Sequence, residues 1–181
     1  MNKNIRRVTE TAILLALLIA LQTLTKPFGQ IVTGSCVNSL LAVTVLFSGL
    51  PAGIAVALIS PVLAFLLGIA PQILTVPAIM VGNSVYVTVL FALAGRKKQK
   101  PLCRIAGWLG AALAKFAALY TLVVWLICGV MAEGLLETGV LKAPMLKALP
   151  AAFGGMQLVT ALIGGAVALL LVPVLKKAMR R

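Results

Sequence analysis

Histidine and aspartate are missing from this sequence, and its only acids are Glu10, Glu133 and Glu137. Without clustered His, Asp or Glu the chain offers no metal site, and a Ser-His-Asp triad is impossible. No Gly-x4-Gly-Lys-Ser/Thr phosphate loop occurs, which excludes ATP hydrolysis by that route. Three isolated cysteines, Cys36, Cys103 and Cys128, fit neither a disulfide framework nor a zinc site and read as small apolar core residues. Charged residues are only 10% of the chain, against roughly 25% in soluble domains. A disordered chain solvated by its charges is therefore excluded too. No cofactor and no metal are expected, and no enzymatic activity.

What the sequence does have is apolar surface. Residues of the set AVILMFWYC make up 62% of its 181 positions, and the mean hydropathy is +1.14. A soluble fold of this length could not hide so much. The chain reads as a single-domain, all-α integral membrane protein. Its net charge of +13 would suggest nucleic acid in a soluble protein. Here the basic residues lie between apolar runs, so they point to membrane orientation and to anionic lipid in the bilayer, with no nucleic acid.

A transmembrane helix needs about 20 apolar residues, with a range of about 17–25. Six candidates form one compact bundle: 8–24, 36–50, 51–68, 73–94, 105–131 and 151–175. The second is short and weakened by Asn38, Ser39 and Thr44, and with the third it could make a re-entrant hairpin. Pro61, Pro77 and Pro173 fall within candidates, where neighbouring helices can re-satisfy the freed backbone groups. The start resembles a signal peptide, but Gln-Thr-Leu-Thr-Lys-Pro follows Leu21 in place of a small-x-small cleavage site, so it reads as a permanent helix.

Six helices put both termini on one side. That side holds Lys3, Arg6, Arg7, Arg96, Lys97, Lys98, Lys100, Arg104, Lys176, Lys177, Arg180 and Arg181, twelve of the 16 basic residues. The other side holds three, Lys26, Lys142 and Lys147, and Lys115 lies inside the fifth helix. The imbalance places both termini in the cytoplasm. The long connections 25–35 and 132–150 then lie outside. The first carries Lys26, Pro27, Gly29 and Gly34, residues that suit a hinged lid. The stretch 135–149 is apolar enough for a short interfacial helix. The turns near 49–51 and 70–72 are short. No internal repeat of the inverted-transporter kind is visible.

Lys115 lies near the middle of the fifth helix, where a lysine costs about 2.5–3.5 kcal/mol on insertion scales. An ionisable residue at that depth points to function, against the plain alternative of a snorkelling side chain. No acid lies at that depth to pair with it, so Asn83, backbone carbonyls or an anionic ligand are its candidate partners. Asn83 and Tyr86 share a helix face. With Lys115, Tyr120, Gln157 and Asn38 they are the candidate substrate-binding residues, although any one of them could equally make a helix–helix hydrogen bond. Trp125 reads as an interface anchor. Ala12, Ala16 and Ala20 stack small residues on one face of the first helix, and Gly164-Gly165 offers another close-packing surface. Symporters commonly carry acids along their pathway; here there are none at membrane depth, so an energy source would come from a partner.

This whole-chain pattern, with Ala12-x3-Ala16-x3-Ala20, the stretch Pro77-Ala-Ile-Met-Val-Gly-Asn83-Ser-Val-Tyr86 and Lys115 in Ala-Lys-Phe, resembles the substrate-binding S component of energy-coupling factor (ECF) transporters. The resemblance implies capture of a vitamin or related micronutrient from outside, at a prokaryotic plasma membrane. It implies a transmembrane coupling subunit, docked on Ala12, Ala16 and Ala20, and two ATPase subunits. A lysine beside Asn and Tyr suits a ligand with a carboxylate, phosphate or carbonyl-rich ring, and disfavours a cation. Two alternatives stay open: a self-sufficient small transporter or channel, and a structural subunit of a larger membrane complex.

Overall fold

Helix α1 (Lys3–Thr25) buries one edge only. Leu18 is fully buried, with Leu14, Leu15, Ile19 and Leu21 packed beside it. Only 6% of its apolar stretch is buried within the chain, so α1 is a peripheral helix with most of its surface left for lipid or another protein. This computed structural model describes residues 3–69, 72–95 and 101–178.

After a single 3-10 turn (Lys26–Phe28), Gly29 at φ +86° reverses the chain into α2 (Gln30–Ser48). Gly49, at φ +96°, starts α3 (Leu50–Leu66) with Pro51 in its first turn, where the missing N–H costs nothing. A second 3-10 turn (Ile73–Thr75) leads into α4 (Val76–Ala94), again with Pro in the first turn. Helix α5 (Pro101–Leu119) runs on without a break into a π-helix, Tyr120–Val130. The Met131 amide donates to the Leu126 carbonyl, five residues back. Two short helices follow, α6 (Ala132–Glu137) and α7 (Met145–Phe153), and then α8 (Gly155–Ala178). No strand occurs among the described residues.

Five stretches are long and apolar enough to cross a membrane: Ile5–Phe28, Gln30–Ser48, Ile73–Ala94, Leu102–Val130 and Met145–Ala178. The third expected span, α3, is apolar but only 17 residues long. The structure corrects the expected loop 25–35. Helix α2 starts at Gln30 and not at residue 36, leaving only a tight turn where a long connection, either a lid or a plain link between helices, was expected. Lys26 Nζ fastens that turn to the Gly68 carbonyl at 2.6 Å, and the Thr33 hydroxyl donates to the Thr25 carbonyl at 2.8 Å. The sixth span, expected from 151, is also broken. Gly154 separates α7 from α8, with φ −82° and ψ −134°. The expected turn at 70–72 and the basic residues Arg96, Lys97, Lys98, Lys100, Arg180 and Arg181 fall wholly or partly outside the described residues.

Gly34 meets Thr160 and Asn38 meets Gly164, so α2 and α8 run parallel; Gly82 meets Leu119 and Gly107 meets Ala94, so α4 and α5 run antiparallel. The main core is built from α2, α4, α5 and α8, with α1 and α3 added at the side; Leu41, Val45, Val56, Val87 and Ala161 are sealed within it. Glycines set the closest approaches. A Cβ on Gly34 would lie 2.9 Å from Thr160 Cγ2, and one on Gly164 would lie 2.6 Å from Asn38 Cβ. Small residues thus let the α2 and α8 backbones nearly touch. A second apolar cluster caps the end where α2, α4 and α8 begin. There Leu141 and Leu149, from the connection carrying α6 and α7, pack on Ala78, Leu119 and Val123. At the opposite end, Arg7 of α1 and Lys176 of α8 line one cavity, so the start of α1 and the end of α8 share that end.

Candidate functional site

Asn38 stands eight residues into α2 and Asn83 seven residues into α4, roughly 10–12 Å below the ends of those helices at ~1.5 Å per residue. Both are 1% exposed. Lys115 comes up from α5 between them and is 3% exposed. Its Nζ donates to Asn38 Oδ1 at 2.6 Å and to Asn83 Oδ1 at 2.7 Å. The Nζ also lies 5.5 Å from the centre of the Tyr86 ring, within cation–π reach of about 6 Å.

The rest of the network follows from what each group can donate. A lysine only donates, so it draws the amide oxygen of Asn38 towards itself and turns Nδ2 the other way. That Nδ2 donates to Thr160 Oγ1 on α8 at 3.2 Å. The Thr160 hydroxyl donates to the Gln157 carbonyl at 3.2 Å, and Gln157 Nε2 donates to the Ala152 carbonyl on α7 at 3.1 Å. The Tyr86 hydroxyl donates to the Ala161 carbonyl at 3.4 Å. Hydrogen bonds thus tie Lys115 through Asn38 of α2 to Thr160 of α8, and the Gln157 side chain separately ties α8 to the short helix α7 over the end of the bundle.

Lys115, Asn38, Asn83 and Tyr86 are brought together, and Gln157 joins at the rim. Tyr120 is not: it is 47% exposed and packs against Phe116 with the rings tilted, their centres 5.8 Å apart. Five residues along a helix rotate it roughly 140° from Lys115 at ~100° per residue. Two residues go beyond the expected set. Thr160 is fully buried in the network; it lies one turn after Gln157, and that spacing is the signal that could have found it. Ser35 lies one turn before Asn38, and its buried Oγ has no hydrogen-bond partner. Ala12, Ala16 and Ala20 are all exposed along the outer side of α1. Trp125 is exposed.

A buried lysine held by two amide oxygens thus lies inside an all-helical bundle whose helices are apolar and long enough to cross a membrane. The family described as ECF transporter, substrate-specific component, matches residues 6–176, and the chain belongs to it. It is a multi-pass membrane protein and the substrate-binding subunit of an ECF importer, a transport subunit rather than a catalytic one. No curated protein and no solved structure gives a significant match.

Proposed function

We propose that this subunit captures a vitamin or related micronutrient from outside a prokaryotic cell and delivers it to an ATP-driven module of one coupling membrane subunit and two ATPases. In this reading the chain crosses the plasma membrane six times, with α3 as a short sixth span. Both termini lie in the cytoplasm, in keeping with the twelve-to-three distribution of basic residues. The end capped by α6 and α7 then faces outward, and Lys115, Asn38, Asn83, Tyr86, Gln157 and Thr160 form the binding site beneath it. Ala12, Ala16 and Ala20 meet the coupling subunit.

The observation that supports this reading is the pairing of the buried Lys115 with two neutral amide oxygens. Its two short bonds go to neutral side-chain amides, not to a carboxylate. A ligand carboxylate, phosphate or ring carbonyl would make a stronger, charge-assisted bond to the same ammonium. The released amides could then turn to the ligand's edges with an acceptor and two donors each. A cationic ligand finds no acid here to pair with.

Native mass spectrometry of the gently purified chain tests the reading. A retained small molecule that is anionic or rich in carbonyls is expected. A retained organic cation would overturn the ligand assignment.

A further inference from the structure

At the end of the bundle opposite Lys115, a cavity of about 830 Å³ opens between α1, α2, α4, α5 and α8. Its size lies within the roughly 300–1,000 Å³ usual for small-molecule sites. Three basic side chains reach it from three different helices: Arg7 of α1, Arg104 of α5 and Lys176 of α8. The wall also holds one acid, Glu10, which forms an ion pair with Arg6 at 2.9 Å and accepts the Ser48 hydroxyl at 3.4 Å; Glu10 and Lys176 each make a further contact. Below the charges the wall turns apolar, with Leu46, Phe91, Leu169 and Val172.

We infer that this cavity binds an anionic phospholipid. The phosphate would sit among Arg7, Arg104 and Lys176, and an acyl chain would run along the Phe91, Leu169 and Val172 wall. Three features favour lipid over a free anion. The three cations lie within about a turn of their helix ends, at the level where headgroups lie in a bilayer. The wall beneath them is apolar along the helix axes, as an acyl chain requires and a soluble phosphate does not. Pro173 is exposed at the edge of the cavity, so the wall reaches the surface of the bundle. Basic pockets between membrane helices hold anionic headgroups by this combination of charge and apolar wall. The inference is independent of which substrate Lys115 binds.

The test is titration of the purified full chain in detergent with phosphatidylglycerol, read by native mass spectrometry, with phosphatidylcholine and glycerol 3-phosphate as separate arms. Phosphatidylglycerol is expected to bind more tightly than either. The Arg7→Gln, Arg104→Gln double variant should weaken it roughly 10–30-fold, while Lys147→Gln, at the other end of the bundle, should leave it unchanged. Both arginines are exposed, and thermal unfolding of the double variant checks that it folds as the parent does. Equal binding of phosphatidylcholine, or a double variant that binds like the parent, would overturn the site. Glycerol 3-phosphate binding as tightly as the lipid would overturn the assignment to lipid.

Discussion

The proposed function gives Lys115 a double energetic role. Without a ligand, its bonds to Asn38 and Asn83 keep two buried amide oxygens satisfied. In the proposed function it also supplies a charge to the ligand. Lys115→Ala therefore removes a charge-assisted contact of about 1.5–3 kcal/mol, which lowers ligand affinity roughly 10–150-fold. It also leaves two buried acceptors short of a donor, partly offset by relief of the lysine's own burial, so the chain should still fold and insert. Calorimetric titration with the ligand identified by mass spectrometry measures the change; equal affinity in variant and parent would take Lys115 out of the site. The lysine was legible from sequence because a charge at that depth is costly without a purpose. Asn83 and Tyr86 were legible from their spacing. Thr160 and Ser35 were passed over: their one-turn spacing from Gln157 and Asn38 put them on the same faces, but a helical hydroxyl can bond back to its own backbone, so residue type alone did not single them out. Tyr120 was taken as a site residue for its chemistry and depth, although helical rotation already set it on another face.

Glycine at helix contacts fixes the site's geometry at the scale of elements. A Cβ at Gly164 would meet Asn38 Cβ at 2.6 Å, the Ser35 carbonyl oxygen at 2.7 Å and the Ser39 amide nitrogen at 2.7 Å. Two of these are backbone atoms that cannot swing aside. Gly164→Ala must push α8 from α2 and carry Thr160 away from Asn38. Such overpacking costs about 1–3 kcal/mol, against a gain of at most ~1 kcal/mol in helix propensity. Gly110→Ala is the control, since its Cβ would lie 3.5 Å from Leu93 Cδ1, an ordinary contact. Thermal unfolding in detergent should show Gly164→Ala less stable and weaker in ligand binding, with Gly110→Ala equal to the parent or better. A stable Gly164→Ala would mean that α2 and α8 have room to separate. The same glycines explain the misplaced start of α2. Thr33, Gly34 and Ser35 read as a loop by composition, yet Gly34 is in the helix because Thr160 needs its missing side chain. The fifth span, expected over 105–131, would be about 40 Å as an α-helix, longer than a bilayer core of about 30 Å. Its second half is a π-helix, which fits more residues into each ångström of axis and turns Val123 and Ile127 inward. Apolar composition shows that a stretch can cross a membrane; it does not show which hydrogen-bond pattern the stretch uses.

For the molecule as a whole, the unequal burial of the helices matters most. Helices α2, α4, α5 and α8 enclose the polar network, while α1 hangs on their edge. Its inner edge, Leu14, Leu18 and Leu21, packs into the core, and its outer side exposes Ala12, Ala16 and Ala20. An alanine stripe gains little against lipid, whose tails fill a shallow groove as readily as a flat surface. Against another helix it permits close backbone approach and many contacts. The stripe is therefore expected to serve a protein partner, and the site is expected to work without it. Ala12→Leu with Ala16→Leu should leave ligand affinity within about twofold, since neither residue touches the core, by the near-additivity of distant sites. It should abolish co-purification with the coupling subunit and, with it, ATP-dependent uptake. Binding that falls along with assembly would mean that α1 helps to shape the site. Intact assembly would place the coupling subunit on another face, and the groove between α3 and α4, lined by Leu58, Met80, Val81 and Ser84, would be the next surface to fill with bulky side chains.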